Sequence, residues 1–383
     1  MTIKHNVITL LQKMIRLNTC QPEGNEADVV DMLLDIFAPY RKQVESRVFE
    51  HSSRRKSLLL RLGPNGSGGL AFVGHLDTVA IGDESNWSVG PHEAELKDGR
   101  IYGRGAADMK SGVAAMTVAA LKHLTGGHSL NKPLYLVYTA DEEKGSSGVN
   151  AIKASGLLTE VDYYVIPEPT DNKVAIAESG ALWLHFEFQG KSAHGSQPQN
   201  GINAVEAAIV MAAELKKAFV FDEVHARLGS GSASITQLKG GILTNVIPER
   251  AVLEMDIRTL PGCRHEDFLD IAKRQIAVLK QQYPALKVKL EPIKNMPPIE
   301  TIEDAHLVRL VQEIVAQESL QTELVGMSYY TDAACLIPAY KKPFVILGPG
   351  HEAMAHQADE FVAIERLKEA LRIYQQIIVK LCS

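Results

Sequence analysis

The sequence predicts an α/β protein, a sheet with helices on both faces, interrupted by an inserted α+β domain. Three observations carry this prediction. Over the first 170 residues, segments with helical spacing of apolar side chains alternate with short apolar strands. From about Ala177 the pattern changes, because residues 182–188 alternate apolar and polar as a strand with one solvated face does. A Pro-rich stretch over 292–298 then closes this part, and helix and strand patterns resume. The expected domains are therefore 1–177 joined with 293–383, and an insertion over 178–292.

Residues 1–19 interrupt every apolar stretch with a polar residue, which predicts an amphipathic helix and leaves no signal-peptide core. Residues 27–40 place Val29, Val30, Leu33, Leu34 and Phe37 on one helical stripe. Short apolar runs at 57–62 and 70–73, bounded by Gly, Pro and Asn, predict strands, as do 134–139 and 163–166. Between them 113–124 has helical spacing. In the insertion, 203–219 and 266–282 read as helices, and 234–238, 251–257 and 288–290 join 182–188 as strands. Two helices on one face of an antiparallel sheet is the simplest packing for that set. The last part adds helices at 305–318 and 366–382 around an apolar strand at 344–347.

Composition excludes several classes of function. The 383 residues are 45% hydrophobic and 22% charged, ordinary for a packed soluble chain. A net charge of −6 and a pI near 6.1, with scattered lysines and arginines, leave no basic footprint for nucleic acid. No run of 18 apolar residues is present, so no membrane span is expected. Cys20, Cys263, Cys335 and Cys382 form no Cys-x-x-Cys pair, which argues against a disulfide framework or a thiolate zinc site and fits a reducing cytoplasm.

Five stretches end in metal-type ligands. They hold His75 with Asp77, Asp108 in Gly-Arg-Gly-Ala-Ala-Asp-Met-Lys over 103–110, Glu142 with Glu143, Glu168 in Pro-Glu-Pro-Thr over 167–170, and His356 in Ala-His-Gln over 355–357. His75, the two glutamates and Glu168 each follow a predicted strand, where ligands gather in open α/β sheets. Asp141, Glu142 and Glu143 are three adjacent acids directly after an apolar strand, and cations would offset their repulsion. Two histidines and three carboxylates suffice for two divalent ions with a shared bridging carboxylate, leaving one further carboxylate as a base, the equipment of a hydrolase. Asp77, two residues from His75, is a natural partner for the second ring nitrogen. A rival reading takes Gly103-x-Gly105 as the start of a dinucleotide fingerprint, but Asp108 stands where the third glycine belongs and would repel a pyrophosphate.

The order and wording of these stretches resemble the M20 metallopeptidase and deacylase family, whose bacterial members include acetylornithine deacetylase and succinyl-diaminopimelate desuccinylase. The resemblance implies a mixed-sheet zinc-hydrolase catalytic domain with an inserted lid and dimerisation domain. It assigns His75, Asp108 and Glu168 to one ion and Asp108, Glu143 and His356 to the other, with Asp108 as the bridge. Nitrogen and oxygen ligands without thiolate suit zinc, with cobalt or manganese as substitutes. By the same resemblance metal-held hydroxide is the nucleophile, Glu142 the general base, and Asp77 the residue behind His75. His194 is similar to a lid histidine that reaches across a homodimer to the oxyanion, and Asn245 and Arg258 to lid residues that grip a substrate carboxylate. For Arg258 an intrachain ion pair is the plain alternative, and for His194 an exposed loop position.

The implied activity is removal of an acetyl or succinyl group from an amino acid. The alternative is a metallo-dipeptidase or carboxypeptidase of the same family, and a non-catalytic binding protein on this scaffold would have lost Glu142 or a ligand. Two departures leave the acyl group open. Met-Ser-Tyr-Tyr-Thr-Asp over 327–332 matches neither the Ser-Gly-Gly-Thr-Ser-Asp-Gly stretch of proteobacterial desuccinylases nor the Cys-Thr-Glu type of the acetylornithine enzymes, and Gly195 replaces the serine that often follows the lid histidine.

Overall fold

Continuous apolar runs become strands buried on both faces. Leu134–Thr139 is buried at every position, as is Leu70–His75. In the computed structural model, which describes residues 6–383, these two strands pair in parallel, and Leu70–His75 also pairs in parallel with Tyr163–Ile166. They form the centre of a nine-stranded mixed sheet whose main run is Val44–Glu50, Lys56–Leu62, Leu134–Thr139, Leu70–His75, Tyr163–Ile166, Phe344–Ile346 and Ala175–Glu178. The strands at the Val44 end are antiparallel.

Alternation along the strands sends side chains to two helical layers. Leu58, Leu60, Leu62, Phe72 and Leu136 pack with the apolar stripes of Val7–Arg16, Lys110–Thr125 and Ile364–Cys382 in one large core. The other face carries Ser147–Ala154 and Ala333–Tyr340, and the Tyr340 ring stacks on Tyr164 at 6.2 Å. The amphipathic helix expected over 1–19 covers Val7–Arg16, capped by the Asn6 side chain, while Met1 to His5 lie outside the described residues. None of the helices of the described residues is long and apolar enough to cross a membrane.

The chain separates into two compact units, one holding the sequence up to Ala177 with Glu300–Gly326 and Thr331–Ser383, the other holding Glu178–Ile299 with Met327–Tyr330. In the second unit Ser232–Gly240, Arg250–Thr259, Gly180–Gln189 and Lys287–Met296 form an antiparallel sheet in that order. Ala204–Ala218 and His265–Gln282 share one core with its alternate residues, including Leu253, Met255 and Phe186. This unit extends beyond residue 292, where the prolines had suggested a border. Pro292 sits at a register shift in an edge strand, where a missing N–H is tolerated, and pairing with Gly180–Gln189 continues to Met296. Met327 joins it because its carbonyl accepts the Ser179 N–H over 2.9 Å.

Candidate metal centre

Three neighbouring parallel strands deliver candidate ligands to one edge of the first unit's sheet. His75 ends the central strand, Glu142 and Glu143 occupy the turn after Leu134–Thr139, and Glu168 lies two residues beyond Tyr163–Ile166. Asp108 comes from the loop before Lys110–Thr125, and His356 from the segment before Phe361–Ala363. His75 Nε2 is 3.1 Å from Asp108 Oδ1 and 3.5 Å from Glu168 Oε1. His356 Nε2 is 3.4 Å from Asp108 Oδ2 and 3.3 Å from Glu143 Oε2. Within each triplet the ligand atoms lie within 4.8 Å of one another, and Asp108 serves both with one oxygen toward each. The two halves differ in access, since His75 is buried and the His356 side chain is 52% exposed.

The electrostatics fit cations. Burial, reinforced by Asp108, Glu142 and Glu143, pushes the Glu168 carboxyl well above the usual carboxylate range, and burial with Asp108 raises Glu143. Burial opposes a charged His75, yet the surrounding Glu168, Asp108 and Glu142 hold its pKa well above the ordinary value. Hydrogen bonds to Asp108 and Glu143 push His356 up to about 10, and both imidazoles hold Asp108 low despite its burial. Glu143 Oε1 is buried with no hydrogen-bond partner, which is costly for a carboxylate oxygen unless a cation takes it. Oxygen and imidazole donors, shared through one carboxylate, suit two divalent ions.

Asp77 acts differently from the simplest expectation. The His75 Nδ1–H donates to the Asp77 backbone carbonyl over 2.8 Å, while the Asp77 carboxylate is 3.8 Å from that nitrogen. The carboxylate instead accepts the Glu142 N–H at Oδ1, over 3.1 Å, and the Glu143 N–H at Oδ2, over 3.2 Å. One residue thus fixes the His75 tautomer with its backbone and the acidic turn with its side chain.

Glu360 is a site residue that sequence reading did not single out. Its buried carboxylate accepts N–H groups of Gly105, Ala107 and Asp108 at 3.0, 2.8 and 3.0 Å and pairs with the buried Arg104 guanidinium at 2.6 Å. It therefore shapes the loop that presents the bridging aspartate. Phe361–Ala363 pairs with Arg100–Tyr102, which brings Glu360 to that loop. Its sequence neighbour Asp359 gives Glu360 the look of surface charge, so no local signal marks it. Gly348 and Gly350 support the same scaffold, since a Cβ would lie 2.2 Å from the Pro167 carbonyl oxygen at the first and 2.3 Å from that of Ala107 at the second. Their small size is required by backbone packing behind Glu168 and Asp108.

The second unit holds His194, Asn245 and Arg258. His194 pairs with Val246 in a two-stranded ribbon, and the Gly195 N–H donates to the Asn245 carbonyl over 2.8 Å, so the first two residues are neighbours. His194 Nδ1 accepts the Ser196 N–H over 3.2 Å, which leaves the proton of a neutral imidazole on Nε2 as an outward donor. The position after His194 is tight, because a Cβ at Gly195 would come within 3.0 Å of the Asn245 carbonyl oxygen. Arg258 lies on the separate four-stranded sheet, its fork closed on Asp256 by two hydrogen bonds of 2.9 Å.

Two carboxylate–imidazole triplets sharing Asp108 at the carboxyl ends of parallel strands form the donor set of a metal-dependent hydrolase. The sequence profile of peptidase family M20/M25/M40 matches residues 71–380, and the chain belongs to that family. A Staphylococcus aureus (strain MSSA476) protein named "Probable succinyl-diaminopimelate desuccinylase" is 27% identical over 405 aligned positions, covering 97% of each chain. The acetylornithine deacetylase of Proteus mirabilis (strain HI4320) is 29% identical over 368, covering 94% of this chain and 91% of that one. Among solved structures, a Staphylococcus aureus tripeptidase superposes with TM-score 0.79 at 20% identity, over 99% of this chain and 98% of the other. A Bacillus subtilis dinuclear metal-binding peptidase of the M20 family gives 0.72 at 15%, over 99% and 98%. Both share the fold.

Proposed function

We propose that the chain is a dinuclear, zinc-dependent amidohydrolase that removes an acetyl- or succinyl-type acyl group from an amino acid. The observation that carries this reading is the pair of triplets sharing Asp108 with Glu142 beside them. His75, Asp108 and Glu168 would hold one ion, and Asp108, Glu143 and His356 the other; zinc suits the donors, and cobalt or manganese are its substitutes. Bound there, two such ions supply Lewis-acid polarisation of the acyl carbonyl and ready ionisation of water near neutral pH.

The protein's own groups do the rest. Glu142 takes a proton from water as the water oxygen bonds to the acyl carbon, and returns it to the leaving nitrogen as the carbon–nitrogen bond breaks. Its backbone N–H, donated to the Asp77 carboxylate, supports this role by anchoring the turn that carries it. His194, with Nε2–H free to donate, is assigned the oxyanion, supplied across a homodimer. Asn245 and Arg258 are assigned the substrate carboxylate, for which Arg258 must share or exchange its contact with Asp256. Domains follow the lid arrangement, with the insertion expected over 178–292, carried on to Ile299 and joined by Met327–Tyr330, as the lid. A cytoplasmic setting fits four free cysteines.

A dipeptidase or carboxypeptidase activity is the second reading, favoured by the likeness of the fold to a tripeptidase. Hydrolysis of a panel of N-acetyl and N-succinyl amino acids against di- and tripeptides, by zinc-loaded protein, separates the two. Cleavage of peptides alone would overturn the deacylase reading.

A further inference from the structure

The acidic turn is held at both shoulders by one side chain that lies outside the metal site. The Arg55 guanidinium donates from one nitrogen to Asp141 Oδ1 over 2.6 Å and from the other to Gln21 Oε1 over 2.5 Å and the Pro22 carbonyl over 2.8 Å. Because Gln21 Oε1 faces the guanidinium, its amide nitrogen is directed at Asp77 Oδ2, over 2.8 Å. The reversed amide would set oxygen against carboxylate and nitrogen against guanidinium, so Arg55 fixes the amide's orientation. Asp77 then holds the N–H groups of Glu142 and Glu143. At the other shoulder Asp141 has φ +66, a left-handed conformation uncommon outside glycine, and its carboxylate is gripped by Arg55 and by the Ser147 N–H over 3.4 Å.

We infer that Arg55 is a positioning residue for catalysis: through Asp141 directly, and through Gln21 and Asp77, it sets the turn that carries Glu142 and Glu143. The inference rests on the function proposed above. A purely structural ion pair between Arg55 and Asp141 would affect stability and leave the two ions equally held. A positioning role acts unevenly, because only the Asp108, Glu143 and His356 triplet takes a ligand from this turn.

The test is Zn2+ binding by the full chain, measured by competition with a chromophoric chelator, on wild type, Arg55→Met, Arg55→Lys and Gln21→Met, alongside thermal unfolding and steady-state kinetics. Loss of a group that hydrogen-bonds a metal ligand weakens metal binding or activity about 10–100-fold, and Arg55, acting one hydrogen bond further out, should reach the lower end of that range, about tenfold. Arg55→Met is expected to weaken one of the two ions by that factor, keep the other within about threefold, and lower kcat with KM little changed. Arg55→Lys and Gln21→Met should give smaller losses of the same kind, since a single ammonium can keep one of the two contacts and Gln21→Met leaves the Arg55 contact with Asp141 in place. If Arg55→Met does not fold, these two variants decide. Wild-type affinity for both ions and wild-type kcat in the folded variants would overturn the inference, as would an equal weakening of both ions. A wild-type chain that takes up fewer than two ions would instead overturn the dinuclear reading on which it rests.

Discussion

Replacing Glu142 with alanine removes the proposed base and no ligand. Neither triplet uses Glu142, and its backbone N–H, 3.1 Å from Asp77 Oδ1, survives the substitution, so the turn that carries Glu143 keeps its anchor. A positioned general base contributes about 10²- to 10⁴-fold. Removing it should lower kcat by about that factor, roughly 3 to 5 kcal/mol in barrier height. KM should stay within about threefold, because ground-state contacts are unchanged. Elemental analysis of zinc-loaded protein should still give two ions per chain. Glu142→Gln preserves the shape and should be as slow as the alanine variant, which isolates the loss of a proton acceptor. The assay is steady-state hydrolysis of whichever N-acyl amino acid the wild type turns over best, with metal content measured on the same samples. Wild-type kcat in either variant would refute the base assignment, and loss of an ion would show that Glu142 is a ligand.

Glu360→Ala leaves the buried Arg104 guanidinium and three loop N–H groups without their carboxylate, and should destabilise the fold by about 3–5 kcal/mol in urea unfolding; Arg104→Met in the same chain should recover part of the loss, and a single-variant effect under about 1 kcal/mol would contradict the account. Glu26 is raised from 4.5 to about 7, chiefly by burial and then by Asp77, so between these values the folded chain retains a proton the unfolded chain has released. Stability should therefore fall as pH rises from about 4.5 and level off above about 7, and Glu26→Gln should flatten that slope and gain up to about 3 kcal/mol on wild type at pH 8. Parallel pH profiles of thermal unfolding for the two proteins would count against it. His194→Ala should lower turnover, and mixing it with Glu142→Ala subunits should restore part of it, because a hybrid dimer holds one site with Glu142 and a His194 from the other subunit. Mixtures that recover nothing would argue against a trans-acting histidine.

The parts of this fold that were legible in sequence are those whose neighbours in the chain are also their physical context. Leu134–Thr139 and Tyr163–Ile166 read directly as strands because short apolar runs bounded by breakers match strands covered on both faces. The candidate ligands were legible because each stands in a short local phrase at a strand end. Val44–Glu50 was missed because it is an edge strand with mostly exposed side chains. Ala333–Tyr340 was missed because Pro338 lies inside it, and Ser147–Ala154 because it is only eight residues long. Partners distant in sequence were the least legible. Glu360 acts on a loop some 250 residues earlier, and nothing beside it in the chain records the buried Arg104 that it meets. Arg55 likewise reads as one of several basic residues in a turn until folding sets it against Asp141 and Gln21.

Counting ions in wild type and in His356→Ala tests the central claim most directly. Metal-free protein is titrated with Zn2+, and the bound ions per chain are measured by elemental analysis after removal of free metal. Two ions in wild type and one in the variant are predicted, because His356 belongs only to the triplet of Asp108 and Glu143, while His75 and Glu168 remain. A single ion in wild type, or the same count in both proteins, would contradict a dinuclear centre bridged by Asp108.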